Sequence, residues 1–425
     1  MNEDIFYIGE RHQWGGEAPL GFGLSELRQH AYVIGKTGSG KTTLLRNLIL
    51  QLAEAGHGVG LIDPHGDLAE ELLDHLSPIR AEQTVYFNPA DSDFPIGLNL
   101  LSRAGADDRH LVASGVVGAF KNLWSDSWGP RMEYILHNAV ASLAACPNTS
   151  LLGVNRLLTD PDYRRWVVEQ LDDPFLRDFW EGEYEGYDPR FMREAISPIQ
   201  NKIGQILLSP ALRHIVGQVR SGASIPQVMD RGQVFIANLS KGRLGHDKSN
   251  LLGSLLVTQF QLAAMARSRQ PEEARRDFFL FIDEFQNFAT EAFCSILAEA
   301  RKYRLTLILS HQYIAQITPA VRHAVFGNVG ALIAFRVGFD DAEHLHGEFG
   351  REFLPQQFVD LPRYEMLVRL PAGAAGGRYQ RARSLPPLFT NRGRRTRLIR
   401  RSRERFGTLR ARVEKRLHRW LARRF

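Results

Sequence analysis

The chain has 425 residues, 44% hydrophobic, 24% charged and 10% aromatic, which excludes wholesale disorder and a small stapled scaffold and leaves room for two or three domains. Its only cysteines, Cys146 and Cys294, lie far apart without metal-ligand spacing, so neither a disulfide framework nor a zinc site is indicated, and a reducing cytoplasm is the expected setting. No apolar run approaches the ~20 residues of a membrane-spanning helix, and the N-terminal stretch lacks the basic and apolar regions of a signal peptide. The net charge of +6 is unevenly spread. Residues 392–425 hold 15 Lys or Arg against Glu404 and Glu414, a net +13, so the remaining body is mildly acidic.

In chain order, short apolar runs bounded by turn residues predict strands at Ala31 to Ile34, Val59 to Ile62, Thr84 to Phe87, Val234 to Leu239, Phe278 to Ile282, Leu305 to Leu309 and Ala331 to Phe335. Runs that are apolar throughout and alternate with helical patterns indicate a parallel sheet covered on both faces, the α/β nucleotide-binding type. Between them, Asp107 to Asn122, Met132 to Ala145, Tyr163 to Leu171 and Phe191 to Leu208 show helical spacing and no strand runs. The expected organisation is an α/β core over residues 1–104 and 232–391, an all-helical insertion over 105–231, and a basic tail over 392–425.

The first strand runs into Gly35-Lys36-Thr37-Gly38-Ser39-Gly40-Lys41-Thr42 and then a helical pattern, matching G-x-x-x-x-G-K-[ST] in its strand, loop and helix context. The glycines allow backbone N–H groups to turn inward around a phosphate, and the positive end of the following helix adds attraction. Lys41 is expected to reach the β- and γ-phosphates of ATP, and Thr42 to place its hydroxyl on Mg²⁺.

A second constellation begins with the apolar run Phe278 to Ile282, whose end lifts Asp283 and Glu284 toward that loop. Asp283 is the expected Mg²⁺-shell carboxylate, and Glu284 the group that orients or deprotonates the attacking water, so hydrolysis is favoured over phosphoryl transfer. The strand Leu305 to Leu309 delivers Gln312, a candidate sensor of the γ-phosphate. In ring-shaped ATPases an arginine from a neighbouring subunit stabilises the developing charge. Arg301 and Arg336 are the two candidates, each weighed against an ordinary surface salt bridge, with Arg301 ranked first. The guanine-reading N-K-x-D and the L-S-G-G-Q of transporter ATPases are both absent.

The stretches HAYVIGKTGSGKTTLL, GVGLIDPHGDLAEELL, VYFNPADSDFPIGLN, FIANLSKGRLG, FIDEFQNFAT, EARKYRLTLILSHQYIAQ and GNVGALIAFRVGFDDAEHL together resemble the TraD/TraG-like conjugative coupling ATPases, within the HerA/FtsK superfamily of P-loop ring motors. The resemblance covers roughly residues 25 to 370 and implies a RecA-like core with an all-helical insertion, assembled as a homo-hexamer that threads DNA using ATP. By position it assigns Lys41 and Thr42 to the phosphate loop, Asp283 and Glu284 to the second motif, Gln312 to the sensor and Arg301 to the arginine finger. Asp63, in D-P-x-G-D, is expected to shape the site. Relaxosome or secretion-channel proteins are the implied partners. The alternatives are a HerA-like DNA helicase, a secretion ATPase acting on protein, and an ATP-regulated nucleic-acid-binding scaffold without turnover.

In the tail, Phe406, Leu409, Val413, Leu417, Trp420 and Leu421 recur at helical spacing among arginines. The pattern predicts one amphipathic cationic helix that grips DNA phosphates, lies peripherally on the inner face of a membrane, or docks on a partner.

Overall fold

The computed structural model describes residues 4–13, 16–101, 108–289, 291–371 and 378–425. By contact the chain divides into two compact units, one of Met1–Tyr86, Ile225–Ser240 and Ala263–Arg400, the other of Phe87–Ser224, Lys241–Leu262 and Arg401–Phe425.

The first unit is built on one sheet whose strands in chain order are β1 Ile5–Gln13, β2 Gly16–Gly23, β3 Ala31–Ile34, β4 Gly58–Asp63, β5 Thr84–Phe87, β6 Val234–Asn238, β7 Phe278–Ile282, β8 Leu305–His311, β9 Ala331–Ala334, β10 Glu365–Arg369 and β11 Tyr379–Ser384. Their spatial order is β2-β1-β11-β10-β9-β3-β8-β7-β4-β6-β5. From β9 across to β6 every pairing is parallel. Each of these strands is buried along its whole length, as continuous apolar runs such as FFLFI require. On the far side of β9, the pairs β9–β10, β10–β11, β11–β1 and β1–β2 are antiparallel. The seven expected strands are present within two residues of their expected ends. The four antiparallel ones were not expected, because GEAPLGFG and YQRARS carry no apolar run and bury only alternate positions.

Parallel strands point their C-terminal ends the same way, which gathers the turns after β3, β4, β7, β8 and β9 at one edge. The helix Lys41–Glu54 leaves that edge and packs Leu44, Leu45, Leu48 and Leu52 into the core cluster, together with Val33 of β3 and Phe281 of β7.

The second unit is helical, with Arg109–Leu123, Pro130–Ala145, Pro161–Val168 and Pro189–Leu208 among its helices. Their starts are legible locally: Asp160 and Asp188 cap through their carboxylates and are each followed by a proline in the first turn. Trp180 and Tyr184 are fully buried there, and the indole Nε1 donates to the Ser142 hydroxyl (2.8 Å).

The tail departs from the expectation of a separate, single helix. It forms two helices, Arg395–Phe406 and Arg410–Ala422. The break falls at Gly407, where Thr408 and Arg410 donate their N–H groups to the Pro95 and Asp93 carbonyls (3.1 and 2.9 Å) and Arg403 pairs with Asp91 through both of its oxygens (2.6 and 3.0 Å). From Arg401 onward the tail belongs to the second unit. Val413 and Leu417 are buried with Leu152, and Trp420 and Leu207 pack against them. Arg156 donates to the Trp420 and Arg423 carbonyls (3.0 and 2.6 Å), closing the helix end. Val413 and Leu417 of the expected apolar stripe are thus spent on the chain's own helices, while Leu409 and Leu421 stay exposed. The second unit also takes in 241–262, beyond the expected insertion, and the expected boundary between residues 104 and 105 lies outside the described residues. Among the described residues no helix is long and apolar enough to cross a membrane.

Candidate nucleotide-hydrolysing site

The loop Gly35–Thr42 follows β3 and opens the helix Lys41–Glu54, whose first turn leaves its N–H groups without partners inside the helix. Gly38 and Gly40 have φ of +76° and +128°, values that let the loop close on itself and that disfavour other residues. At Gly40 a Cβ would also meet the Phe335 and Tyr364 rings at 3.0 and 3.1 Å, so the loop is pressed from β9 and from the turn before β10. Lys41 folds its ammonium back over the loop, donating to the Gly35 carbonyl and to the Lys36 carbonyl (3.3 Å). Burial lowers its pKa, while the nearby charges of Glu284 and Asp283 act in the opposite sense.

Two carboxylates close the site from the strands beside it. Asp63, at the end of β4, is fully buried and accepts the N–H groups of His65 and Ala69 (2.8 and 2.9 Å), which fixes the turn into the helix Asp67–His75. Asp283 follows β7 and donates its N–H to the Ile62 carbonyl (3.1 Å). Burial first, and the neighbouring Asp63 charge next, push the Asp283 carboxyl up to about 6. Two buried acids this close are costly to ionise together, and a cation between loop and strand relieves that cost. Thr42 and Asp283, a hydroxyl and one carboxylate, suit Mg²⁺, which takes few protein oxygens and fills its shell with phosphate and water. Among the described residues no group of three or more His, Cys, Asp or Glu gathers to hold a metal by itself.

Glu284 is the most constrained residue of the site. Its backbone is left-handed (φ +46°), sparsely populated by non-glycine residues and a recurrent mark of functional positions. The conformation turns the chain at once into the short turn Phe285–Asn287, bringing Gln286 back under its neighbour. The Gln312 amide donates to Glu284 Oε1 (2.8 Å) and the Gln286 amide to Oε2 (2.7 Å), so both carboxylate oxygens are aimed. Gln312 stands just past β8, as its place in the sequence indicates. Gln286 was missed because its role depends on the left-handed turn, which no local pattern signals. A cavity of about 590 Å³ opens beside Lys36, Thr37 and Gln312, edged by Tyr313, Phe339 and Asp341.

The two arginines are placed apart. Arg336 follows β9 on the loop edge, exposed, and its carbonyl accepts the Lys36 N–H (2.8 Å). Arg301 lies in the turn Ala300–Tyr303 before β8, exposed at the opposite edge of the sheet. The seven residues of β8 put about 20 Å between that turn and Gln312.

Residues 6–116 match the family described as the central domain of the helicase HerA. No curated protein is similar in sequence. Among solved structures, the plasmid coupling protein TrwB in complex with ADP and Mg²⁺ shares 17% identity over 93% of this chain and 98% of its own, with a TM-score of 0.64. The same protein with a non-hydrolysable ATP analogue also shares 17%, over 87% of this chain and 88% of its own, with a TM-score of 0.62. VirB4 of Thermoanaerobacter pseudethanolicus shares 14% over 90% of this chain and 96% of its own, with a TM-score of 0.57. The chain thus has the RecA-like fold of these proteins and, over residues 6–116, the HerA central-domain pattern.

Proposed function

We propose that the chain is a motor ATPase of the conjugation and type IV secretion kind, which hydrolyses ATP with Mg²⁺ and uses the cycle to move DNA through a ring of identical copies. The observation that carries the hydrolytic half is Glu284, buried opposite Lys41 with both oxygens aimed by Gln312 and Gln286. A carboxylate so held can take a proton from, or orient, a water lying in line with the γ-phosphate.

In this reading the N–H groups of residues 36–42 and the Lys41 ammonium hold the β- and γ-phosphates. Thr42 and Asp283 would hold Mg²⁺, which would supply charge stabilisation to the phosphates. Gln312 reports the state of the γ-phosphate by holding or releasing Glu284 Oε1. The TrwB complexes with ADP and Mg²⁺ and with an ATP analogue favour ATP and Mg²⁺ as the ligands here.

The assignment of two copies per site rests on where the arginines lie. Arg301, across the sheet from its own loop, can serve only a neighbour's γ-phosphate, and the cavity beside Gln312 leaves room for such a side chain to enter. Arg336 sits on its own loop's edge and is the candidate for contact in the same copy. DNA as the polymer moved is supported by the likeness to a conjugative coupling protein and by the net +13 of residues 392–425.

The test is phosphate release by the full chain with Mg–ATP, with and without DNA. Release is expected to rise several-fold with DNA and to vanish in Lys41→Ala. Turnover indifferent to DNA but raised by an unfolded polypeptide assigns the motor to protein. Absence of turnover, with ATP bound, leaves the ATP-regulated scaffold.

A further inference from the structure

Sheet order fixes which way a nucleotide lies across the loop. The loop strand β3 has β8 and β7, with Gln312, Asp283 and Glu284, on one side, and β9 followed by β10 on the other. A triphosphate whose γ-phosphate faces Glu284 and Gln312 therefore sends its α-phosphate, sugar and base toward the β9–β10 side.

The residues waiting there are Arg363 and Tyr364, in the turn that leads into β10. Tyr364 donates its N–H to the Ser39 carbonyl of the loop (3.0 Å), and its own carbonyl accepts the Ser384 N–H from β11 (2.7 Å). Its φ of +69° is strained for an aromatic residue and is held by those two bonds. Arg363 donates Nε to the Gly38 carbonyl (3.1 Å), and its guanidinium lies 4.7 Å from the centre of the Tyr364 ring. Tyrosine below and loop carbonyl beside it thus fix the plane of an arginine that is itself exposed. Nothing in the hydrolytic reading uses it.

We propose that Arg363 is the platform for the nucleotide base: the guanidinium face turned away from Tyr364 stacks on the purine of the nucleotide whose phosphates occupy Gly35–Thr42. This rests on the hydrolytic reading above for the direction of the triphosphate. A guanidinium is planar, weakly hydrated and a good partner for a π-face, so Arg rather than Lys suits the place. Stacking reads the face of a base and not its edge, so ATP and GTP gain alike.

The test is calorimetric titration of the full chain, unaltered and as Arg363→Ala and Arg363→Lys, with Mg–ATP, Mg–GTP and inorganic tripolyphosphate. Arg363→Ala is expected to weaken ATP and GTP by about tenfold each, within the range for one base–side-chain stack, and to leave tripolyphosphate within about twofold. Arg363→Lys keeps the charge and the donor to Gly38 but has no planar face, and is expected to stay within about twofold of Arg363→Ala. Unchanged ATP affinity in Arg363→Ala, an equal loss for all three ligands, or full recovery in Arg363→Lys overturns the base platform while leaving the phosphate site standing. If the unaltered chain binds neither ATP nor tripolyphosphate, the hydrolytic reading falls and the platform with it.

Discussion

The two halves of the one sheet are made differently and hold different parts of the site. From β9 to β6 the strands are parallel and buried on both faces, and their ends carry the groups of the reaction: Lys41 after β3, Asp63 at the end of β4, Asp283 and Glu284 after β7, Gln312 after β8. From β10 to β2 the strands are antiparallel, the outer ones β2 and β11 bury only part of their length, and a single turn, Arg363–Tyr364, presses onto the loop. The chemistry stands where burial is deepest and the charges cost most; the flank supplies position and grip. Substitutions in the parallel half should therefore cost turnover, and those in the flank should cost stability or affinity.

The largest expected effect is Glu284→Gln, an isostere in the parallel half. It should lower phosphate release by about 10³-fold, the usual share of a positioned base, with ATP affinity retained because Lys41 and the loop are untouched. Comparable release by the variant would break the comparison at its centre. In the flank, Phe22 of β2 is fully buried in the same core cluster as Phe6, Ile8 and Leu20. Phe22→Ala should cost about 3–5 kcal/mol in urea unfolding, with phosphate release per folded molecule unchanged. A large loss of turnover at full folding would mean the flank takes part in the reaction.

A third variant probes the edge of the parallel half away from the site. His30 precedes β3, accepts the Leu307 N–H on Nδ1 (3.0 Å) and is held by burial, with a lesser push from Arg301, at a pKa of about 4. Its folded value lies below the ordinary 6.5, so the folded state prefers the neutral ring. The stability this gives is complete above pH 6.5 and is lost as pH falls toward 4, on the order of 3 kcal/mol in all. His30→Asn keeps an acceptor, tolerates the left-handed backbone (φ +61°), and should flatten unfolding free energy against pH over that interval. An unchanged slope assigns the acid sensitivity to other groups.

The same division explains what the sequence reveals. FFLFI, LTLILSH and ALIA read as strands because a doubly covered strand has no polar face, and the phosphate loop and Asp283–Glu284 read as a site because their spacing is dictated by the nucleotide. YQRARS takes one of its two partners, β1, from the other end of the chain and buries only two of its positions, so its local pattern says little. Gln286, Arg363 and Tyr364 escaped for a related reason: two of them depend on left-handed residues, Glu284 and Tyr364, whose conformation is imposed by tertiary bonds. The tail's helical spacing was legible, but its break was not, since Gly407 stops the helix only where segment 93–95 meets it.

Particle images of the full chain with a non-hydrolysable ATP analogue and DNA show whether a neighbouring copy completes each site and whether DNA lies in the ring. The expected image is a closed ring with nucleic acid in its channel and Arg301 of one copy reaching the nucleotide beside Gln312 of the next. Single particles under all these conditions, or rings in which Arg301 faces solvent and the channel holds no DNA, would contradict it.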